Sequence, residues 1–71
     1  MMTNKYEVII YWNEQDEVFV AEMPELKGCV AHGATRDEAL KEINIVANEW
    51  LNIAKENHWT IPEPKGRLLF A

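Results

Sequence analysis

The feature that most constrains this chain is a single long run with helical spacing. Over residues 36–57 the apolar side chains Ala39, Leu40, Ile43, Val46, Ala47, Trp50, Leu51, Ile53 and Ala54 recur at intervals of three and four. That spacing places them on one broad helical face. Lys41, Asn44, Asn48 and Asn52 lie on the opposite face, where Ile45 stands as an apolar exception and a candidate intersubunit contact. The start of the helix is marked just as clearly. Thr35 can act as N-cap and Glu38, three residues on, completes a capping box, while Asp37 suits the positive end of the helix dipole. At the other end, Asn57 or His58 can take the left-handed closing position, and Pro62 and Pro64 hold the following chain extended.

A helix with one wide apolar face needs a partner layer, and the residues before it supply short strands. In "KYEVIIYW", Tyr6, Val8, Ile10 and Trp12 share one face of a strand and Glu7, Ile9 and Tyr11 the other. "NEQD" is the polar loop of a hairpin, and "EVFVAEM" is the returning strand. Pro24 has no amide proton and ends that strand; "PELKG" turns the chain, with Gly28 giving backbone freedom, into a third strand around "CVAH". "RLLF" supplies a last strand after the Lys65-Gly66 turn. The expected fold is α+β: a two-layer β-β-β-α-β domain with one helix packed on a small, mostly antiparallel sheet. At 71 residues it is one domain, near the lower size limit for folding without staples. Strands apolar on both faces, facing a single helix, imply that the uncovered face meets another subunit.

Composition narrows the function. The chain is 48% hydrophobic and 27% charged, within the ordinary globular range. Its formal charge is −5, from twelve scattered carboxylates against seven Lys and Arg, and it has no basic stripe. Phosphate neutralisation is therefore disfavoured and direct nucleic-acid binding is not expected; a basic protein partner suits the charge better. Apolar runs are too short to span a membrane, and "MMTNKYEV" has no signal-peptide core, so a cytoplasmic protein is expected.

No residue is assigned a catalytic, cofactor-binding or metal-ligating role. The first strand offers only Glu7 near its start, the third strand and "RLLF" offer no acid, and the apolar helix face offers none, so carboxylates do not converge as a metal nuclease needs. Cys29 is the only cysteine and is expected to be a small buried hydrophobe. Cys29 and His32 point to opposite faces of a strand and cannot form a nucleophile pair. His32 is expected at a strand end, partly exposed. The chain contains no serine, and Gly28, Gly33 and Gly66 do not form a phosphate loop.

Several ordered pieces together carry a resemblance. Tyr6-x-Val8-x-Ile10, then "MPELKGCVAHGATRDEAL" at 23–40, then "IPEP" at 61–64, resemble the HicB-like antitoxin family over nearly the whole chain. Members often have an acidic residue where Ala34 stands and a glycine where this helix ends near Asn57 or His58. The resemblance implies a stand-alone N-terminal HicB-type domain, 1–71, with a truncated, degenerate RNase H-like fold and no C-terminal DNA-binding domain. It also implies a HicA-type toxin, which cleaves mRNA, as partner, neutralised by occlusion without catalysis. A homo-oligomer, dimer or tetramer, is expected. Two other classes stand beside this one: a vestigial nuclease-fold enzyme, which the carboxylate placement disfavours, and a homo-oligomeric scaffold or small-ligand-binding module without a toxin.

Overall fold

The computed structural model describes residues 6–63. Three strands, β1 (Ile9–Asn13), β2 (Val18–Glu22) and β3 (Val30–Gly33), are followed by one helix, α1 (Arg36–Glu56). The strands form an antiparallel sheet in the order β1-β2-β3, and α1 lies across one of its faces. The α+β arrangement expected from the sequence is present; the final strand expected at "RLLF" lies outside the described residues.

The helix begins where its capping residues put it. Thr35 is extended and its Oγ1 accepts the Glu38 amide at 3.0 Å. The Glu38 carboxylate accepts from the Ala34 amide at 2.6 Å, one residue upstream of the usual capping-box partner. The helix closes with a six-to-one bond from the Trp59 amide to the Ala54 carbonyl at 2.8 Å and a five-to-two bond from His58 to Lys55. This is the Schellman pattern, and His58, at φ 57°, occupies the left-handed position usual for glycine. Trp59 then packs edge-on against Trp50 at 6.0 Å.

The joint between β2 and β3 is two successive turns. Leu26 donates to the Met23 carbonyl, with Pro24 at the second position, and Cys29 donates to the Leu26 carbonyl at 2.9 Å. Gly28, at φ 80°, takes the position in the second turn that demands a left-handed residue. The Met23 amide bonds the Cys29 carbonyl across the base, and Trp50 Nε1 donates to the Lys27 carbonyl at 2.9 Å, tying the joint to α1. The effect is to seat Leu26 and Met23 in the core, where they are among the most deeply buried large side chains.

The core is built on small residues. Ala39, Ile43 and Ala47 of α1 pack on Ala21, Ala31, Met23, Leu26 and Cys29. Leu40 and Ile53, expected on the buried helix face, are instead 41% and 47% exposed. Three strands cover only the middle of the apolar stripe, and these two side chains lie on its flanks. Ile45 is exposed on the outer side, as its place among polar residues indicates.

Gly33 lets the helix come this close. A Cβ there would lie 2.6 Å from the Ala39 amide nitrogen and 2.8 Å from the Glu38 Cβ, whereas at Gly28 nothing lies within 4 Å. Gly33→Ala therefore has to push the first helical turn off the sheet, at a cost of about 3 kcal/mol. Gly28→Ala costs only its backbone conformation, roughly 1 kcal/mol. Equilibrium urea unfolding of the two variants checks the order; equal losses would contradict it.

Candidate interaction surface

The register fixes which side chains share each face, because residues directly opposite in an antiparallel pair point the same way. Ile10, Ala21 and Ala31 form one row toward the helix, and Trp12, Phe19 and Gly33 the next. Trp12 meets Phe19 edge-on at 5.0 Å, and the Arg36 guanidinium lies 4.9 Å from the centre of the Phe19 ring. The opposite face carries Ile9, Glu22 and Val30 in one row, Tyr11, Val20 and His32 in the next, and Asn13 beside Val18 at the end.

That open face is mostly apolar and, among the described residues, uncovered. Ile9 is 38% exposed, Tyr11 44% and Val30 48%. Val20, at its centre between Tyr11 and His32 in the register, is buried at 8%. Tyr11 leans along the diagonal and its hydroxyl donates to Glu22 Oε2 at 3.0 Å. This hydrogen bond, with burial and the carboxylate charge adding to it, raises the Tyr11 pKa above its ordinary value. Asn13 faces the hairpin loop, where its Oδ1 accepts the Asp16 amide.

The structure separates the other singled-out residues. Cys29 is buried in the core on the helix side of the sheet, and His32 is exposed on the other side, so the sheet lies between them. His58 is exposed at the end of α1. The Glu7 amide donates to Glu25 at the foot of β1, while Glu22 belongs to the open face. Tyr6 donates its hydroxyl to the Pro62 carbonyl, which brings the chain after the helix back beside the start of the sheet. Burial, with Glu25 and Glu63 nearby, raises the Tyr6 pKa. The described residues enclose no pocket and hold no cluster of three or more His, Cys, Asp or Glu able to bind a metal. No described helix is long and apolar enough to cross a membrane. What this geometry offers is surface: an apolar sheet face on one side and a charged helix and loops on the other.

A small antiparallel sheet backed by one helix, with an apolar face uncovered among the described residues, defines a small α+β domain. Residues 1–62 match the model of the UPF0150-like family, and the chain belongs to that family. It is similar to a UPF0150 protein of Synechocystis sp., 40% identical over 57 residues that cover 80% of this chain and 77% of the relative. No solved structure matches the chain.

Burial pushes the Cys29 thiol above its ordinary value of 9.0. In that range the folded chain keeps a proton that the unfolded chain releases, so stability falls as pH rises past the ordinary thiol value and is unaffected below it. The raised tyrosines extend the fall in the same direction at higher pH. Unfolding measured from pH 7 to pH 10.5 is expected to show this decline, and Cys29→Ala to lose its first part. Stability that rises with pH over this window would contradict the assignment.

Proposed function

We propose that the chain is a HicB-like antitoxin that binds a basic, mRNA-cleaving toxin of the HicA type and blocks it by occlusion, without catalysis. It acts in the cytoplasm as a homo-oligomer. The observation that carries this reading is the ordered set from Met23 to Leu40, found in a UPF0150-like chain and folded here into one joint. Pro24, Gly28, Gly33 and Thr35 have structural work in that joint, so their pattern marks the fold rather than a reacting centre. The net charge of −5 suits a basic partner.

The test is a small basic protein encoded beside this one. Mixed in excess, this chain is expected to co-elute with it and stop it cleaving RNA, without binding RNA itself. Because long-range attraction speeds encounter and salt screens it, the association rate should fall roughly tenfold from low to moderately high salt, with the dissociation rate changing less. An active neighbouring toxin that neither co-elutes nor is inhibited would overturn the antitoxin reading. A second reading, a homo-oligomeric scaffold or small-ligand-binding module without a toxin, is favoured by the open apolar face and would then stand ahead.

The pure protein is also expected to leave RNA and DNA intact with or without magnesium, since its carboxylates do not converge on one site. Metal-dependent cleavage that disappears in Glu7→Gln or Glu22→Gln would contradict this.

A further inference from the structure

We infer that the hairpin end of the domain, where Trp12, Phe19, Arg36 and Leu40 lie beside a rim of carboxylates, is the surface that receives a basic protein partner. The inference rests on the proposed function for the kind of partner and adds where that partner sits.

The patch arises from the way the helix begins. Trp12, Phe19 and Gly33 form one row across the helix side of the sheet. Over Gly33 the first turn of α1 comes too close to admit even a Cβ, so the helix seats on that end of the row. The two rings stand at the other end, edge-on at 5.0 Å, and Trp12 is left 46% exposed. The Arg36 guanidinium lies 4.9 Å from the centre of the Phe19 ring, and Leu40, one turn further along the same side of α1, is 41% exposed. Tryptophan and arginine are the residue types that most often anchor protein contacts. Here Trp12 already rests on Phe19, so it has less side-chain freedom to lose on binding.

Charge selects the occupant. The β1–β2 loop and the first turn of α1 lie at the same end of the sheet, and together they carry Glu14, Asp16, Glu17, Asp37 and Glu38 against one cation, Arg36. Asp37 and Glu38 answer the positive end of the helix, and Glu38 also holds the Ala34 amide, so the three loop acids make up the excess. The other acids lie away from the patch. Glu7, Glu25 and Glu63 stand near Tyr6 at the foot of the sheet, and Glu22 is on the open face, bonded to Tyr11. Glu42, Glu49 and Glu56 recur every seven residues on the side of α1 turned away from Leu40. A second copy meeting this end brings the same acids and is repelled, as are nucleic acids and anionic membranes. The described residues enclose no pocket for a small ligand. A protein surface with Lys or Arg around an apolar side chain suits both parts, its cations meeting the loop acids and the Trp12 ring.

Nuclear magnetic resonance locates the contact, with a short peptide alternating lysine and leucine as the probe. The expected shifts fall on Glu14 to Glu17, Phe19, Arg36, Leu40 and the Trp12 indole, with a Kd of about 1 mM or tighter. Shifts confined to the loop acids, shifts on the open face at Ile9, Tyr11 and Val30, or no shift at all would overturn the patch. Shifts at the patch on dilution of the chain alone would assign it to a second copy and overturn the occupant. Two charge-reversal sets then separate place from net charge. Glu14→Lys with Asp16→Lys and Glu17→Lys alters the rim, and Glu42→Lys with Glu49→Lys and Glu56→Lys alters the far side of α1 by the same charge. All six side chains are exposed, and circular dichroism checks that each variant keeps its fold. Affinity for the neighbouring basic protein, read by calorimetry, is expected to fall roughly tenfold or more with the first set and less than about threefold with the second. Equal losses, or a greater loss with the second set, would overturn the location and leave the antitoxin reading in place. A neighbouring protein that does not bind the unaltered chain, while the peptide still seats on the patch, would overturn that reading and leave the surface standing.

Discussion

The close seating of α1 on the sheet is the constraint on which the rest of the structure depends. The contact is made by small residues on both sides: Ala39 and Ala47 on the helix, and Ala21, Ala31 and Gly33 on the strands. Met23, Leu26, Cys29 and Ile43 are the largest fully buried side chains of this contact, and three of the four come from the joint between β2 and β3. A chain of 71 residues has few kilocalories to lose, on the order of 4–10 kcal/mol in total stability, so this contact and this joint decide whether it folds.

The same economy explains the open face. Among the described residues one helix covers one side of the sheet, and Val18, Val20, Val30, Ile9 and Tyr11 lie on the other. Glu22 lies among these apolar side chains and accepts the Tyr11 hydroxyl. Eight acids stand on the hairpin loop and along α1: Glu14, Asp16 and Glu17 on the loop, and Asp37, Glu38, Glu42, Glu49 and Glu56 on the helix.

Much of this was legible in the residues. Thr35 and Glu38 fixed the first turn of the helix, and the apolar spacing carried it to Glu56, where it ends. Pro24 and Gly28 announced the joint because each has a backbone property no other residue shares. Alternation along "KYEVIIYW" sorted Ile10 and Trp12 from Ile9 and Tyr11 correctly. What was not legible depends on distant neighbours. Leu40 and Ile53 fit the helical stripe, yet they lie on its flanks and are exposed beside the three described strands. Leu26 sits in a polar turn and nothing in its local pattern marks it as core; its burial follows from two turns folding it under α1. Val20 is buried on the side where Tyr11 and His32, its partners in the register, are exposed, a difference that no single strand reveals. His58 takes the left-handed position without being glycine, which residue type alone does not single out from Asn57.

The central claim is that the close seating of α1 on β2 and β3 holds the fold together. Amide hydrogen exchange tests it most directly. The account predicts that amides in the middle of α1 and in β2 and β3 exchange only when the whole domain unfolds, while those of the loop at Glu14–Glu17 exchange by local opening. Helix amides that exchange well before those of β2 and β3 would contradict it.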